Sequence, residues 1–290
     1  MSCITLISLA NILSIPSIDL NGVAFDTKIN RITTDTRNLG VGDLFIALRG
    51  ERFDGHQFVA LSKQKGAIAA VVDHGFASDD LTEFPLLRVD DTLQAYQAIA
   101  HWWRNQFTIP VIAVTGSVGK TTTKEMIAAL LGLKGSVLKS QANYNNEIGV
   151  PKTLLELTSD HAYAVVEMGM RGPGEIALLT QIARPDIAVI TNVGTAHIGR
   201  LGSEAAIAAA KCELLAELAP TGIAILNYDN SLLLKTAETV WQGKTLTYGL
   251  TGGDLHGQLL DPQTLSVKEI SLPLPLPGRH NATNYLAALA

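Results

Sequence analysis

Residues 115–122, Thr115-Gly116-Ser117-Val118-Gly119-Lys120-Thr121-Thr122, bring together the groups that hold a phosphate. Two glycines let the backbone approach an anion closely, and amide N–H groups at a helix N-terminus face it. Lys120 would sit on the β- and γ-phosphates, and the Thr121 hydroxyl would ligate Mg²⁺. The spacing is not that of a strict Walker A motif. Only Ser117 and Val118 separate Gly116 from Gly119, and Val114 stands where the first glycine of that motif is expected. An ordinary glycine turn beside a surface lysine is the bland alternative. The order strand, glycine loop, Lys-Thr, helix favours the phosphate reading.

Four further positions carry chemistry. Glu167 closes the apolar run Ala162–Val166, so its carboxylate falls where open parallel sheets bind ligands and is a candidate for Mg²⁺. The alternative is an exposed strand-end glutamate. His197 follows the apolar run Ile187–Ile190 and gains weight only beside the phosphate loop and Glu167. Lys211 falls on the apolar face of a helix, four residues from Ile207 and four from Leu215. Such a lysine either snorkels to the surface or is buried with a depressed pKa. A buried neutral amine reacts with CO₂ to give a carbamate, whose oxygens suit Mg²⁺. Asn143, in the run Asn143-Tyr144-Asn145-Asn146, is a phosphate or metal-water contact or else an Asx-turn residue.

The elements that must position these groups are legible from periodicity. Val111–Val114 is an unbroken β-branched run, typical of a strand buried on both faces, and Met126, Ile127, Leu130 and Leu131 mark the helix after the loop. Ile223–Leu226 reads as another strand, and Ser203 caps the Lys211 helix. Residues 244–272 look like a β-rich insertion, and residues 141–151 like a structured loop. Upstream, Leu44–Leu48 and Ala67–Val72 read as strands, and Leu93 to Phe107 as an amphipathic helix. The fold class is α/β throughout. A small N-terminal domain over 1–108 precedes a parallel-sheet ATPase domain of P-loop type over 109–290.

The chain has 290 residues, 47% of them apolar, and a formal charge of −5. That balance argues against a nucleic-acid binder relying on a basic surface. Cys3 and Cys212 make no disulfide framework, so a reducing, cytoplasmic setting is the expectation. The apolar N-terminus has no Lys or Arg before Lys28 and reads as a short packed helix, not a signal peptide. No apolar run is long enough to span a bilayer.

The shortened Thr-Gly-x-x-Gly-Lys-Thr loop resembles that of the Mur ligase family, which joins amino acids or dipeptides to cell-wall precursors using ATP. So do Asp35-Thr36-Arg37, Gly42-Asp43-Leu44-Phe45-Ile46-Ala47-Leu48, Asp54-Gly55-His56, Ala210-Lys211-Cys212-Glu213 and Leu276-Pro277-Gly278-Arg279-His280-Asn281 with Asn284. The resemblance implies that Thr34, Thr36 and Arg37 help hold the UDP end of a nucleotide-sugar substrate, although Asp35 and Arg37 would equally tie a turn. It implies that Thr115–Thr122, Asn143, His280 and Asn281 contact ATP. It further implies that Thr121, Glu167, His197 and a carbamylated Lys211 hold Mg²⁺, and that Lys120, His197 and Lys211 serve catalysis. The stretch from Asn143 to Pro151 is similar to that of members adding D-alanyl-D-alanine to a UDP-N-acetylmuramoyl-tripeptide, which gives the expected partners of a monomeric enzyme. A ligase adding another amino acid, a non-ligating P-loop protein and a non-catalytic remnant stay open. The family plan has a third, C-terminal domain, so residues 1–290 alone are expected to bind substrates without forming the amide.

Overall fold

The computed structural model describes residues 4–15, 24, 26–50, 53–77, 81, 83–196 and 198–290. The chain divides into two compact units, Met1–Gln106 and Phe107–Ala290. In the first, α1 (Leu6–Ile12) is followed by β1 (Ile32–Thr33), β2 (Leu44–Ile46), α2 (Val59–Gln64), β3 (Ala69–Asp73), β4 (Leu86–Val89) and α3 (Thr92–Arg104). The strands form a parallel sheet in the order β1-β2-β3-β4. Strands β2 and β3 are buried on both faces, as their apolar runs require. The N-terminal segment is the short packed helix expected. Thr5 and Ser8 cap it reciprocally, and Leu6, Leu9 and Ala10 are buried.

The second unit runs β5 (Val111–Thr115), α4 (Lys120–Leu131), β6 (Val137–Lys139), α5 (Gly149–Leu154), β7 (Tyr163–Glu167), α6 (Glu175–Ala183), β8 (Ile187–Ile190), α7 (Ile198–Leu201), α8 (Glu204–Ala216), β9 (Ile223–Asn227) and α9 (Ser231–Val240). It ends with β10 (Lys244–Gly249), β11 (Leu255–Asp261), β12 (Thr264–Val267), β13 (Ile270–Pro273) and α10 (Arg279–Leu289). Among the described residues these strands make one sheet, β13-β12-β11-β10-β9-β8-β5-β7-β6. It is parallel from β6 to β11 and antiparallel over β11-β12-β13. The chain moves from β5 to β6 and β7 on one side, then crosses to β8 on the other. The C-terminal end of β5 is therefore the switch point of the sheet, where such folds open a ligand crevice.

One reading needs revision. Residues 141–151 are not loop throughout, because α5 begins at Gly149 and contains Pro151. Proline is tolerated there because it lies in the first turn, where its missing N–H has no intrahelical partner. Asn146 Oδ1 accepts from the Gly149 amide at 2.9 Å and starts the helix. The Leu-Pro run from Leu272 to Pro277 is tied to the sheet at its start. Its first residues lie in β13, and the Leu274 amide continues the pairing by donating to the Gln263 carbonyl at 2.8 Å.

Candidate phosphate and metal site

The loop after β5 is shaped by two glycines. Gly116 has φ +153° and Gly119 φ +83°. A Cβ at Gly116 would lie 1.9 Å from Thr191 Oγ1, and one at Gly119 2.4 Å from Asn284 Oδ1. The backbone thus closes against its neighbours where a side chain would stand. The loop is also laced to the segment after β8. The Ser117 amide donates to the Asn192 carbonyl at 3.1 Å, the Val118 amide to Asn192 Oδ1 at 3.1 Å, and the Gly194 amide to Ser117 Oγ at 2.9 Å. Thr191 Oγ1 and Asn192 Nδ2 both donate to the Val118 carbonyl. Asn227 Nδ2 in turn donates to the Thr191 carbonyl at 2.8 Å and fixes that segment from β9. Thr115 is buried, and its hydroxyl donates to the Met168 carbonyl at 2.9 Å.

Glu167 is the hub of the site. It is 2% exposed, so the exposed strand-end alternative fails. The Thr121 hydroxyl donates to its Oε2 at 2.9 Å, and Asn145 Nδ2 donates to its Oε1 at 2.8 Å. Lys124, fully buried on α4, lies 3.7 Å from Oε2 and donates to the Ser140 carbonyl at 2.7 Å. Ser140 Oγ accepts from the Glu167 amide at 3.0 Å. A carboxylate and a hydroxyl meeting at the mouth of a phosphate loop form an oxygen donor set that suits Mg²⁺. Asn145 and Lys124 belong to this site but do not stand out in the sequence. Asn145 is one of three asparagines in four residues, and Lys124 follows Lys120 at an ordinary helical interval. Asn143 has an exposed side chain, and its carbonyl accepts from the Asn145 amide at 2.8 Å.

Two lysines face the loop from different elements. Lys120 Nζ donates to the Gly116 carbonyl at 3.0 Å. Burial lowers its pKa, and the Glu167 carboxylate works against that shift. Lys211 on α8 is 2% exposed and does not snorkel. Burial, and then the nearby Lys120 charge, push its pKa down to about 7. The shift favours the neutral amine, the form that adds to CO₂. Cys212 beside it is buried, with its thiol pushed up to about 12, which makes it a core residue and not a thiolate. His197 and Cys3 lie outside the described residues.

A cleft of about 640 Å³ opens beside the loop, lined by Gly119, Thr122, Asn192, Asp229, His280 and Asn284 among others. That volume is in the range of small-molecule sites. Helix α10 supplies its far wall and packs on α4. Asn281 Nδ2 donates to the Pro277 carbonyl at 2.9 Å and so holds the turn before α10. Asn284 is buried against Gly119, in the packing role.

In the N-terminal unit, Thr34 and Thr36 are half-buried and Arg37 is exposed. The Arg37 guanidinium reaches Asp35 at 2.6 Å, and the Arg37 amide donates to Asp35 Oδ1 at 2.9 Å. The turn-tying reading of this pair is therefore present in the geometry. The Asp54-Gly55-His56 turn is also closed on itself. His56 Nδ1 lies 2.6 Å from Asp54 Oδ1, and its Nε2 accepts from the Asp73 amide at 3.0 Å.

A mostly parallel sheet with a glycine phosphate loop at its switch point and a carboxylate at the neighbouring strand end defines a nucleotide-binding α/β fold of P-loop type. Comparison with known proteins narrows the class. The profile of the Mur ligase middle domain matches residues 114–290, and that of the Mur ligase family catalytic domain matches residues 28–102. The chain belongs to the Mur ligase family. It is 61% identical over 273 residues to the UDP-N-acetylmuramoyl-tripeptide–D-alanyl-D-alanine ligase of Synechocystis sp., covering 94% of this chain and 60% of that protein. It is 40% identical over 295 residues to the Escherichia coli ligase of the same name, covering 98% and 64%. A crystal structure of MurF from Acinetobacter baumannii superposes with a TM-score of 0.89 at 34% identity, over 100% of this chain and 64% of that one. MurF ligase from Thermotoga maritima, in complex with ADP, gives a TM-score of 0.79 at 30% identity, over 89% and 61%. The chain thus spans about 60% of the length of the relatives it matches. Among the described residues no helix is long and apolar enough to cross a membrane.

Proposed function

We propose that this chain carries the nucleotide-sugar and ATP sites of an amide ligase that joins D-alanyl-D-alanine to a UDP-N-acetylmuramoyl-tripeptide. The observation that carries the reading is Lys211, a lysine only 2% exposed on α8 and near enough to Lys120 of the phosphate loop to feel its charge. A P-loop protein that only binds or hydrolyses nucleotide has no use for such a group. The names of the Synechocystis and E. coli relatives supply the substrates. ATP, when bound, supplies the phosphoryl group that turns the tripeptide carboxylate into an acyl phosphate open to the dipeptide amine. Mg²⁺, when bound, neutralises phosphate charge. Thr121, Glu167, His197 and the carbamate of Lys211 would hold it.

The chain's own residues perform positioning and charge stabilisation. The loop amides and Lys120 hold the phosphates. Lys120 must leave the Gly116 carbonyl to do so, and an arriving phosphate is a stronger acceptor. His280 borders the nucleotide cleft, and Asn281 beside it would contact the adenine. Thr34, Thr36 and Arg37 serve the UDP end from residues 1–108, and residues 109–290 form the ATP domain. The enzyme is read as a cytoplasmic monomer.

The test replaces the matched stretch of the Synechocystis ligase with this chain. The chimera should make UDP-N-acetylmuramoyl-pentapeptide within about tenfold of the parent rate, about 1.4 kcal/mol in barrier. Lys120→Ala in that chimera should remove ATP turnover and leave the fold intact. A folded chimera that binds ATP and the tripeptide substrate but forms no pentapeptide would overturn the reading.

A further inference from the structure

Glu167 and Lys211 reach the site from different elements, one from the end of β7 and the other from α8. If both are to serve one metal ion, the distance between those elements must be fixed. Helix α6, which follows β7, is preceded by Gly174 as its N-cap, with φ +82°, and has no side-chain cap of its own. Its first amides are satisfied from α8 instead. Glu213, two residues after Lys211, accepts from the Gly174 amide through Oε1 at 2.7 Å and from the Ala177 amide through Oε2 at 3.1 Å. A carboxylate on a helix N-terminus is favourable both as a charge and as a two-point acceptor. The segment between Glu167 and α6 is anchored at its other end as well. There the Gly169 amide donates to the Asn145 carbonyl at 2.7 Å, and Asn145 also holds Glu167. One end of the segment is thus fixed to the Glu167 carboxylate and the other to the Lys211 helix.

We infer that Glu213 is a positioning residue, a strut from the Lys211 helix to the start of α6 that sets the placement of Lys211 against Glu167 and the phosphate loop. The inference rests on the reading of Lys211 and Glu167 as ligands of one metal ion. A site residue needs placement to about half an ångström, and outer partners that orient ligands are worth about 10- to 100-fold in metal affinity or activity. The same two helices carry an internal control. Glu217, one turn further along α8, accepts from Gln181 Nε2 of α6 at 3.1 Å, at an exposed position away from the α6 N-terminus. If Glu213 merely glued the helices together, the Glu217 contact would do similar work.

The experiment compares Glu213→Ala, Glu213→Gln and Glu217→Ala in this chain. It measures retention of isotope-labelled CO₂ on Lys211 after chemical trapping, Mg·ATP affinity by titration calorimetry, and the urea midpoint. Glu213→Ala should lower label retention and Mg·ATP affinity by about tenfold or more. Glu213→Gln, which keeps one acceptor, should fall between it and the wild type. Glu217→Ala should match the wild type in both readouts. Loss of stability in Glu213→Ala with unchanged label and unchanged Mg·ATP affinity would overturn the inference, as would equal losses in Glu217→Ala. A wild type that binds Mg·ATP but takes up no label would overturn the carbamate reading alone, and Mg·ATP affinity in the variants would then decide on Glu213. A wild type that binds no Mg·ATP would overturn both.

Discussion

Both units place short polar turns after the strands of a parallel sheet, but they treat charge in opposite ways. In the N-terminal unit the charged groups satisfy one another. Arg37 lies on Asp35, Arg49 bridges Asp54 and Asp73 at 3.2 Å each, and both nitrogens of His56 are engaged. In the central unit burial instead acts on two lysines, Lys120 and Lys211. Lys120 donates to a backbone carbonyl and feels the Glu167 carboxylate, while Lys211 has no hydrogen-bond acceptor among the described residues; burial lowers the pKa of both, and the Lys120 charge lowers that of Lys211 further. A closed polar network is a structural device, whereas buried amines short of acceptors beside a glycine crease leave room for an anion. The difference separates turns that hold the fold from a loop that is poised for a ligand.

The largest effect tests that contrast within the central unit. Lys124 is a buried lysine with partners, and Lys211 is one without them among the described residues. Lys124→Met should destabilise the chain by about 3–5 kcal/mol, because it strips Glu167 and the Ser140 carbonyl of a buried partner. Lys211→Met in CO₂-free buffer near neutral pH should leave stability unchanged or raise it by about 1–3 kcal/mol. Urea midpoints measure both. Equal losses would mean that Lys211 is as well satisfied as Lys124, and the contrast would collapse.

The next effect is on binding. Gly116→Ala puts a methyl group on the Thr191 hydroxyl and should weaken Mg·ADP binding by at least about 100-fold, or roughly 2.7 kcal/mol. In the N-terminal unit, His56→Ala should cost about 1–2 kcal/mol of stability, since it leaves the Asp73 amide without its acceptor and removes one of the partners of Asp54, and leave Mg·ADP affinity within twofold. Calorimetric titration and thermal unfolding of the two variants form a crossed pair. A His56 variant that is folded but fails to bind Mg·ADP would break the division between holding turns and poised loop.

What the sequence made legible follows the same line. The β5 run, the glycine loop and the strand-end Glu167 were readable because backbone rules dictate them. A continuous β-branched stretch must be buried, and a crease needs glycine. Lys211 was readable because helical periodicity put it among Ile207 and Leu215, where a charge is out of place. Asn145 was hidden among equivalent asparagines, and only the fold shows which one meets Glu167. Lys124 looked like a surface residue of an amphipathic helix, since its acceptor, the Ser140 carbonyl, lies beyond another strand. Glu213 was visible as part of a motif, but its partners are backbone amides, which leave no trace in residue identity. Helix α5 was obscured by Pro151, which reads as a breaker until its place in the first turn is known.

The smallest effect is a pH dependence carried by Asp54 in the N-terminal unit. The His56 amide, donating to Asp54 Oδ1 at 3.0 Å, is the main cause that holds the Asp54 carboxyl below its ordinary value of 3.8, with the His56 ring and Arg49 adding to it and burial opposing. A carboxyl with a lowered folded-state pKa binds protons more readily in the unfolded chain. Its contribution is therefore fully present above about pH 3.8 and is lost as pH falls through the lower folded-state value. Asp54 is about a third exposed, so solvent screening keeps the contribution within about 1 kcal/mol. Asp54→Asn retains an acceptor for the His56 amide but no charge. It should be slightly less stable than the wild type at pH 6, with the gap closing below pH 3.8. Urea midpoints across that range measure the gap. A gap that stays constant down to pH 2.5 would mean that the His56–Asp54 contact does not depend on charge, and that the closed turn owes its stability to geometry alone.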